Sequence, residues 1–197
     1  MQYPDELPVN FSQRDPAPGV HDMFHRRWSP RSFNKVDISA ADLTTIVDAA
    51  RWSPSCFNGQ PWRIYTSTST SFDKFYDLLM EGNQVWAKNA AVLGFMVAQL
   101  HFDHNGKANP YAEFDTGAAW LALTLQARKM GLYTHGMGGI HHDKVYAALN
   151  IDKEKYKVIC GFAIGVIDTP DKLPEDKRKM EQPSSRKPLA DIWQPVS

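Results

Sequence analysis

Residues 111–130, YAEFDTGAAWLALTLQARKM, decide how the rest of the chain must be arranged. Helical spacing puts Tyr111, Phe114, Ala118, Leu121 and Leu125 on one stripe, and Ala119, Trp120, Ala122, Leu123 and Ala127 widen it. A helix that is apolar around most of its circumference needs cover on nearly every side. One chain of 197 residues supplies that with difficulty, and a second copy supplies it readily, so a homodimer is expected. Upstream, Ala91 to Gln99 reads as a buried strand, and downstream Val158 to Val166, VICGFAIGV, closes the core as another. Ser39, with Asp42 three residues on, opens a helix whose apolar face is Leu43, Ile46, Val47 and Ala50 and which ends near Trp52. Trp62 to Thr66 reads as a short strand, Ser71 to Met80 as a helix carrying Phe72, Phe75, Leu78 and Leu79, and Asp143 to Leu149 as a short helix. Strands and helices alternate without the tight rhythm of a doubly wound sheet. The expected class is therefore α+β, a central sheet flanked by helices.

Two proline-rich arms flank this middle. Residues 1–20 carry Pro4, Pro8, Pro16 and Pro18, and residues 168–197 carry Pro170, Pro174, Pro183, Pro188 and Pro195 among many charges. The length fits one domain over residues 1–197, large enough to bury about 70% of the surface of its unfolded form. Lys plus Arg and Asp plus Glu both number 22, so no overall field draws the chain to nucleic acid or an anionic membrane. The longest apolar stretch, Ala90 to Ala98, is nine residues, well under the roughly 18 needed to span a bilayer. Only Cys56 and Cys160 are present, and the N-terminus has no basic segment followed by an apolar one. No disulfide framework or secretory signal is read, and a cytoplasmic location is expected. His101 with His104 and the pair His141–His142 are too few for a zinc site with only two cysteines, so no metal is expected.

Three segments carry chemistry. Arg26-Arg27-Trp28-Ser29-Pro30-Arg31 places three guanidinium groups and a hydroxyl within six residues, a pattern suited to a dianionic phosphate and equally to a solvated basic turn or nucleic-acid patch. Pro54 to Trp62, PSCFNGQPW, offers the amides of Asn58 and Gln60, which suit the edge of a heterocycle as well as an ordinary polar loop. Gly131 to Gly139, GLYTHGMGG, lets backbone N–H groups approach a ligand, or simply turns the chain; it lacks the third glycine of a dinucleotide fingerprint. His135 lies within it, its role open between substrate contact and a structural hydrogen bond.

Taken in order, R-x-S-x-R, then P-S-x-x-N-x-Q-P-W, then F-D-T-G-A-A running into G-L-x-T-x-G-M-G-G resemble the nitroreductase family, from about Arg26 to Arg186. The resemblance implies an α+β homodimer with a central mixed sheet, arms that wrap the partner, and two FMN sites at the subunit interface built from both chains. It places Arg27, Ser29 and Arg31, with the Trp28 backbone, at the FMN phosphate and its surroundings, and returns Arg186 to the same phosphate. It assigns Asn58 and Gln60 to the isoalloxazine edge, Pro54, Ser55 and Cys56 to the partner's flavin, and Met137, Gly138 and Gly139 to the segment passing N5. Cys56 stands where many relatives carry Ser, Trp28 is bulkier than common alternatives, and the stretch from Gln99 to Tyr111 is short where relatives carry a lid.

The implied activity is that of an FMN-dependent oxidoreductase using NAD(P)H to reduce nitroaromatics, quinones or similar planar acceptors by ping-pong hydride transfer. No side chain is assigned as catalytic, because the cofactor carries the chemistry. The alternative reading is a flavin-binding or storage protein without efficient NAD(P)H turnover. A nucleic-acid module built on Arg26 to Arg31 is disfavoured by the neutral chain.

Overall fold

A computed structural model describes residues 2–196, so the outermost residues of the two expected arms, 1 and 197, lie outside the described residues. In chain order the elements are α1 (Asp22–His25), β1 (Phe33–Asn34), α2 (Ala40–Arg51), β2 (Trp62–Thr66), α3 (Phe72–Tyr76), α4 (Glu81–Ala87), β3 (Val92–Gln99), α5 (Ala112–Lys129), β4 (Tyr133–Met137), α6 (His142–Ala148), β5 (Tyr156–Ile167) and α7 (Glu175–Arg178). The class is α+β, as expected. The five strands form one sheet in the order β1-β5-β3-β2, with β4 also paired to β5. Each of these four ladders is antiparallel.

β3 and β5 form the centre of the sheet because both of their faces are covered. Side chains alternate across a strand, so Leu93, Phe95 and Val97 enter one core with Phe33, Phe75, Leu79, Trp86 and Val145. Val92 and Met96 enter the other, with Ile46, Ala50, Leu123, Ala127 and, from β5, Phe162 and Ile164. That is why both strands read as unbroken apolar runs. Burying a large apolar side chain of this kind contributes about 1.5–3 kcal/mol. Gly94 is required at the crossing: a Cβ there would sit 2.2 Å from the Phe162 ring and 2.6 Å from the Tyr65 carbonyl oxygen.

α2 begins where expected, with Ser39 Oγ accepting from the Asp42 amide at 3.1 Å. Four sequence expectations are corrected. The helix expected over Ser71–Met80 stops at Tyr76, and a separate α4 follows; Leu78 and Leu79 lie in the turn between, where the Leu78 carbonyl accepts from His141 N and Leu79 bridges to Ile140. The glycine stretch, read either as a segment approached by a ligand or as a turn, contains β4, since Gly136 is flanked by His135 and Met137 in register with β5. In α5 the stripe of Ala119, Leu123 and Ala127 is buried, whereas Tyr111, Phe114 and Leu121, placed on the leading stripe, are exposed, Phe114 at 79%.

The fourth correction concerns the N-terminal arm, which lies on its own chain. Tyr3 N donates to the Met130 carbonyl at 2.9 Å, and Asp5 pairs with Arg128 at 2.5 Å and accepts from Tyr133 Oη at 3.0 Å. Leu7, Val9 and Phe11 pack on the core. Gly131, at φ +95°, makes the docking possible, because a Cβ there would lie 2.3 Å from the Tyr3 carbonyl oxygen. The C-terminal arm contrasts with it, leaving Leu189, Ile192, Trp193 and Val196 exposed.

Candidate active site

The link from Arg26 to Ser32 runs between α1 and β1, and the pairing of β1 with the end of β5 brings it beside the sheet. Here Arg27, Trp28, Ser29 and Arg31 line a cavity of about 420 Å³ together with His135 from β4 and Arg186 from the distant C-terminal segment. Four of the arginines in the chain converge on it, because Arg14 of the N-terminal arm joins Arg27, Arg31 and Arg186. Arg27 Nη1 donates to Ser29 Oγ at 3.3 Å. Arg14 donates to the carbonyls of Ser184 at 2.6 Å and His25 at 2.9 Å, tying the two arms to the motif. Arg26, the first residue of the basic cluster, turns away: its guanidinium faces Asp22 at 3.7 Å and lies over the Phe11 ring.

The electrostatics of this cup favour an anion. Burial, and then the charge of Arg186, depress the Arg27 pKa. Arg14 is depressed in the same direction by burial and then by Arg186 and Arg27. A bound anion relieves this repulsion, and guanidinium forks match phosphate oxygens. Trp28 also lines the cup, and its buried Nε1 has no hydrogen-bond partner. His135 is held neutral, its pKa pushed down to about 4 by burial, with the charges of Arg31 and Arg27 acting in the same direction. Its Nδ1 lies 2.8 Å from the Pro30 carbonyl, which only accepts, so Nδ1 carries the proton. Its ring packs on Trp86 at 4.6 Å. The structural hydrogen bond is thus present, to the arginine loop, and the ring also lines the cup.

The Pro54–Trp62 loop lies elsewhere. Asn58 and Gln60 line a cleft of about 770 Å³ with Phe57, Trp62, Arg63, Asp103 and His104. Gln60 Nε2 donates to Asn58 Oδ1 and to the Asn58 carbonyl, both at 3.1 Å, so the two amides brace each other. Left-handed backbone falls on Phe57, Asn58 and Gln60, at φ 51°, 54° and 44°, and not on Gly59. Non-glycine residues in that region cost about 1–3 kcal/mol each and cluster at functional loops. Gly59 serves close approach instead, since a Cβ there would meet the Cys56 carbonyl oxygen at 3.1 Å and the Phe102 ring at 3.4 Å. Phe57 packs edge-on to Phe102 at 5.9 Å and beside His104.

Pro54, Ser55 and Cys56 line a separate shallow pocket of about 280 Å³ with Tyr111, Phe114 and Asp115 of α5. The buried Asp115 carboxylate accepts from Cys56 N at 3.0 Å and so anchors the loop to α5. Met137, Gly138 and Gly139 end β4. The Gly139 carbonyl accepts from Met80 N at 3.0 Å and Asn83 Nδ2 at 2.9 Å, and a Cβ on Gly138 would meet nothing within 4 Å.

The fold therefore joins Arg27, Trp28, Ser29, Arg31 and Arg186 in one cavity and distributes the other named residues over two further pockets and a strand end. Sequence reasoning missed Arg14, Asp115 and Glu181, whose carboxylate accepts from the backbone amides of Arg31 and Ser32 beside the cup. Asp115 carried a signal, an acidic residue in the first turn of an otherwise apolar helix; Arg14 and Glu181 carried none. Cys56 and Cys160 are both free, and burial pushes the Cys160 thiol up to about 11. Among the described residues no group of three His, Cys, Asp or Glu side chains is placed to hold a metal ion, and no helix is long and apolar enough to cross a membrane.

An antiparallel α+β sheet with an arginine-lined anion cup at its edge strands, and an amide-bearing strained loop apart from it, defines the class of protein. The nitroreductase family model matches residues 25–90 and 72–166, and the chain belongs to that family. A solved structure of an oxidoreductase containing FMN is 42% identical, with a TM-score of 0.89, covering 95% of this chain and 96% of that one. A candidate NADH dehydrogenase/NAD(P)H nitroreductase of Streptomyces coelicolor is 34% identical over 92 residues, 46% of this chain and only 44% of that relative's length. A candidate NAD(P)H nitroreductase of Bacillus subtilis is 24% identical over 176 residues, 71% of this chain and 84% of the relative.

Proposed function

We propose that the protein is an FMN-dependent oxidoreductase that draws electrons from NAD(P)H and passes them to nitroaromatics, quinones or similar planar acceptors. The observation that carries this reading is the convergence of Arg27, Ser29, Arg31 and Arg186 on one cavity, in a chain 42% identical to an oxidoreductase containing FMN. The donor set fits the group: several guanidinium forks and the Ser29 hydroxyl around one cavity suit the multiple oxygens and double charge of a phosphate monoester better than a neutral ligand.

Arg27, Ser29, Arg31 and Arg186 would hold the phosphate, with Trp28 closing the wall of the cup. Asn58 and Gln60 would meet the pyrimidine edge of the ring system, and Met137, Gly138 and Gly139 would pass its central nitrogen. FMN, when bound, supplies the hydride chemistry. The chain's own task is to bind, orient and exclude water, so no side-chain acid or base is assigned. Reductant and acceptor would take the same place in turn, which gives ping-pong kinetics and removes the need for a separate nucleotide domain.

The reading includes a homodimer. Asn58, Pro54, Ser55 and Cys56 do not open into the arginine cup of their own chain, and the exposed Tyr111 and, from α5, Phe114 line the pocket that Pro54, Ser55 and Cys56 share, with Leu121 exposed further along α5. A second copy seated on this face would cover the apolar stripe and bring its loop to the first chain's flavin. The reading also takes residues 1–197 as one FMN-binding domain with two arms, working in the cytoplasm without nucleic acid or membrane.

The experiment is an anaerobic visible spectrum of the FMN-reconstituted protein before and after NADH, then NADPH. Bleaching of the flavin bands is expected. Bound flavin that stays oxidised with both would favour the storage reading, and failure to retain FMN at all would overturn the proposal.

A further inference from the structure

Glu181 is a carboxylate in a place where simple electrostatics would not put one. It follows α7 by three residues, between Met180 and Gln182, both of which line the arginine cup. Its side chain is only 3% exposed. One oxygen, Oε1, accepts from the backbone amides of both Arg31, at 2.6 Å, and Ser32, at 2.7 Å. The other, Oε2, is buried without a hydrogen-bond partner and lies 3.9 Å from Arg31 Nη1. Burial raises the carboxyl pKa, and the two amides and Arg31 pull against that.

A negative charge beside a cup for an anion weakens binding by repulsion and by offsetting Arg31. Its geometry points to a different contribution. Arg31 is the last residue of the arginine motif, and Ser32, whose Oγ donates to the Thr169 carbonyl at 2.5 Å, leads into β1. These two amides fix the direction in which the chain leaves the cup. Two charge-assisted hydrogen bonds on one buried oxygen make a strong clamp, and the residues that carry it are 150 positions apart in sequence. Arg14 adds a second tie through the Ser184 carbonyl.

We propose that Glu181 is a positioning residue: its carboxylate locks the Arg31–Ser32 backbone, so that the 180–186 segment and the arginine motif close the anion cup as one unit. This rests on reading the cup as the FMN phosphate site. If the clamp serves the cup, its loss should fall on phosphate recognition beyond any general loss of stability, which is the difference the test reads.

The test compares FMN with riboflavin, which lacks the phosphate, in the wild type, Glu181→Ala and Glu181→Gln, reading flavin dissociation on dilution of the loaded protein. Gln keeps an Oε1 acceptor for both amides and removes the charge. Glu181→Ala is expected to weaken FMN at least about tenfold, the scale of one charge-assisted hydrogen bond, and to leave riboflavin unchanged. Glu181→Gln should hold FMN within about threefold of the wild type or more tightly, because the amide bonds persist and a repulsive charge is gone. Glu181→Ala that keeps wild-type FMN affinity, or loses FMN and riboflavin alike, overturns the inference.

Where Glu181→Ala fails to fold, Glu181→Asp, which keeps the charge and withdraws it by one methylene from the Arg31 and Ser32 amides, should weaken FMN severalfold with riboflavin unchanged, and unchanged FMN affinity overturns the inference. Trypsin digestion of the wild type with and without inorganic phosphate reads whether the segment closes with the cup. Phosphate should slow cleavage after Arg178 and Lys179 severalfold, and equal rates overturn the proposal. A wild type that binds riboflavin as tightly as FMN would remove the reading of the cup instead, and phosphate protection would then decide alone whether the segment closes on an anion.

Discussion

The arginine cup and the Pro54–Trp62 loop are both assembled around polar side chains, and only the cup gathers them from several distant parts of the chain. The cup draws on four distant parts of one protomer: Arg14, the Arg27–Arg31 link, His135 of β4 and the 180–186 segment. The loop is braced from within by Gln60 and Asn58 and anchored by Asp115, yet Phe57, Asn58 and Gln60 remain exposed and α5 beside it presents Phe114 to solvent. A site that must neutralise a dianion needs charges held at fixed distances, which one chain's backbone can guarantee. A flat ring system needs an apolar slot, and two surfaces meeting can provide one.

The largest effect expected on this contrast is in the cup. Arg27→Ala with Arg31→Ala should weaken FMN binding by several kcal/mol, since hydrogen bonds to charged groups contribute about 1.5–3 kcal/mol each. Flavin titration by fluorescence quenching measures it, and an unchanged affinity would break the comparison at its stronger end. Next comes the other region: Phe114→Glu should leave the folded protomer intact, because the side chain is 79% exposed, and shift the assembly to monomer with loss of bound flavin. Sedimentation velocity reads the mass, and a variant that stays dimeric with full flavin would show that the loop and α5 face are not completed by a second copy.

A smaller effect concerns pH. His135 has its folded pKa depressed to about 4, against about 6.5 in an unfolded chain. A depressed value means that the stability present above the unfolded pKa is lost as pH falls toward the folded one. Between pH 7 and pH 5 the wild type should lose about 2 kcal/mol more than His135→Gln, measured by urea unfolding at each pH; parallel losses would show that His135 is not the group responsible. Smallest of all, Cys56→Ser should change stability and flavin affinity by less than about 0.5 kcal/mol, because the loop is held at Cys56 through its backbone N–H and not its thiol. A large loss of flavin in that variant would give the thiol a part in the site.

Legibility in the sequence followed the range of the interaction that fixed each element. α2 was readable from Ser39 and a 3.6-residue apolar spacing, and β2 from its bounding loop and alternation, because those signals are local. β4 was not, since Tyr133 to Met137 carries three small or polar positions and is a strand only because β5 pairs with it. The same holds for the end of α3: Leu78 and Leu79 continue a helical pattern, but the Leu78 carbonyl and the Leu79 backbone meet the segment after β4. In the site, the arginine motif and the amide loop announced themselves by residue type. Arg14 and Glu181 did not, because a lone arginine in a proline-rich arm and one glutamate among many charges are ordinary until the fold brings them to Ser184 and Ser32.

By itself the sequence determined the α+β class, the two buried central strands, the amphipathic α2, and the family resemblance carried by three ordered motifs, since each depends on spacing within one segment. Tertiary structure decided which stripe of α5 is buried, that the N-terminal arm docks on its own chain, that Arg14 replaces Arg26 in the cup and that Glu181 holds the motif's backbone. These are contacts between residues far apart in the chain, and their free energies exist only when the intervening elements have already packed.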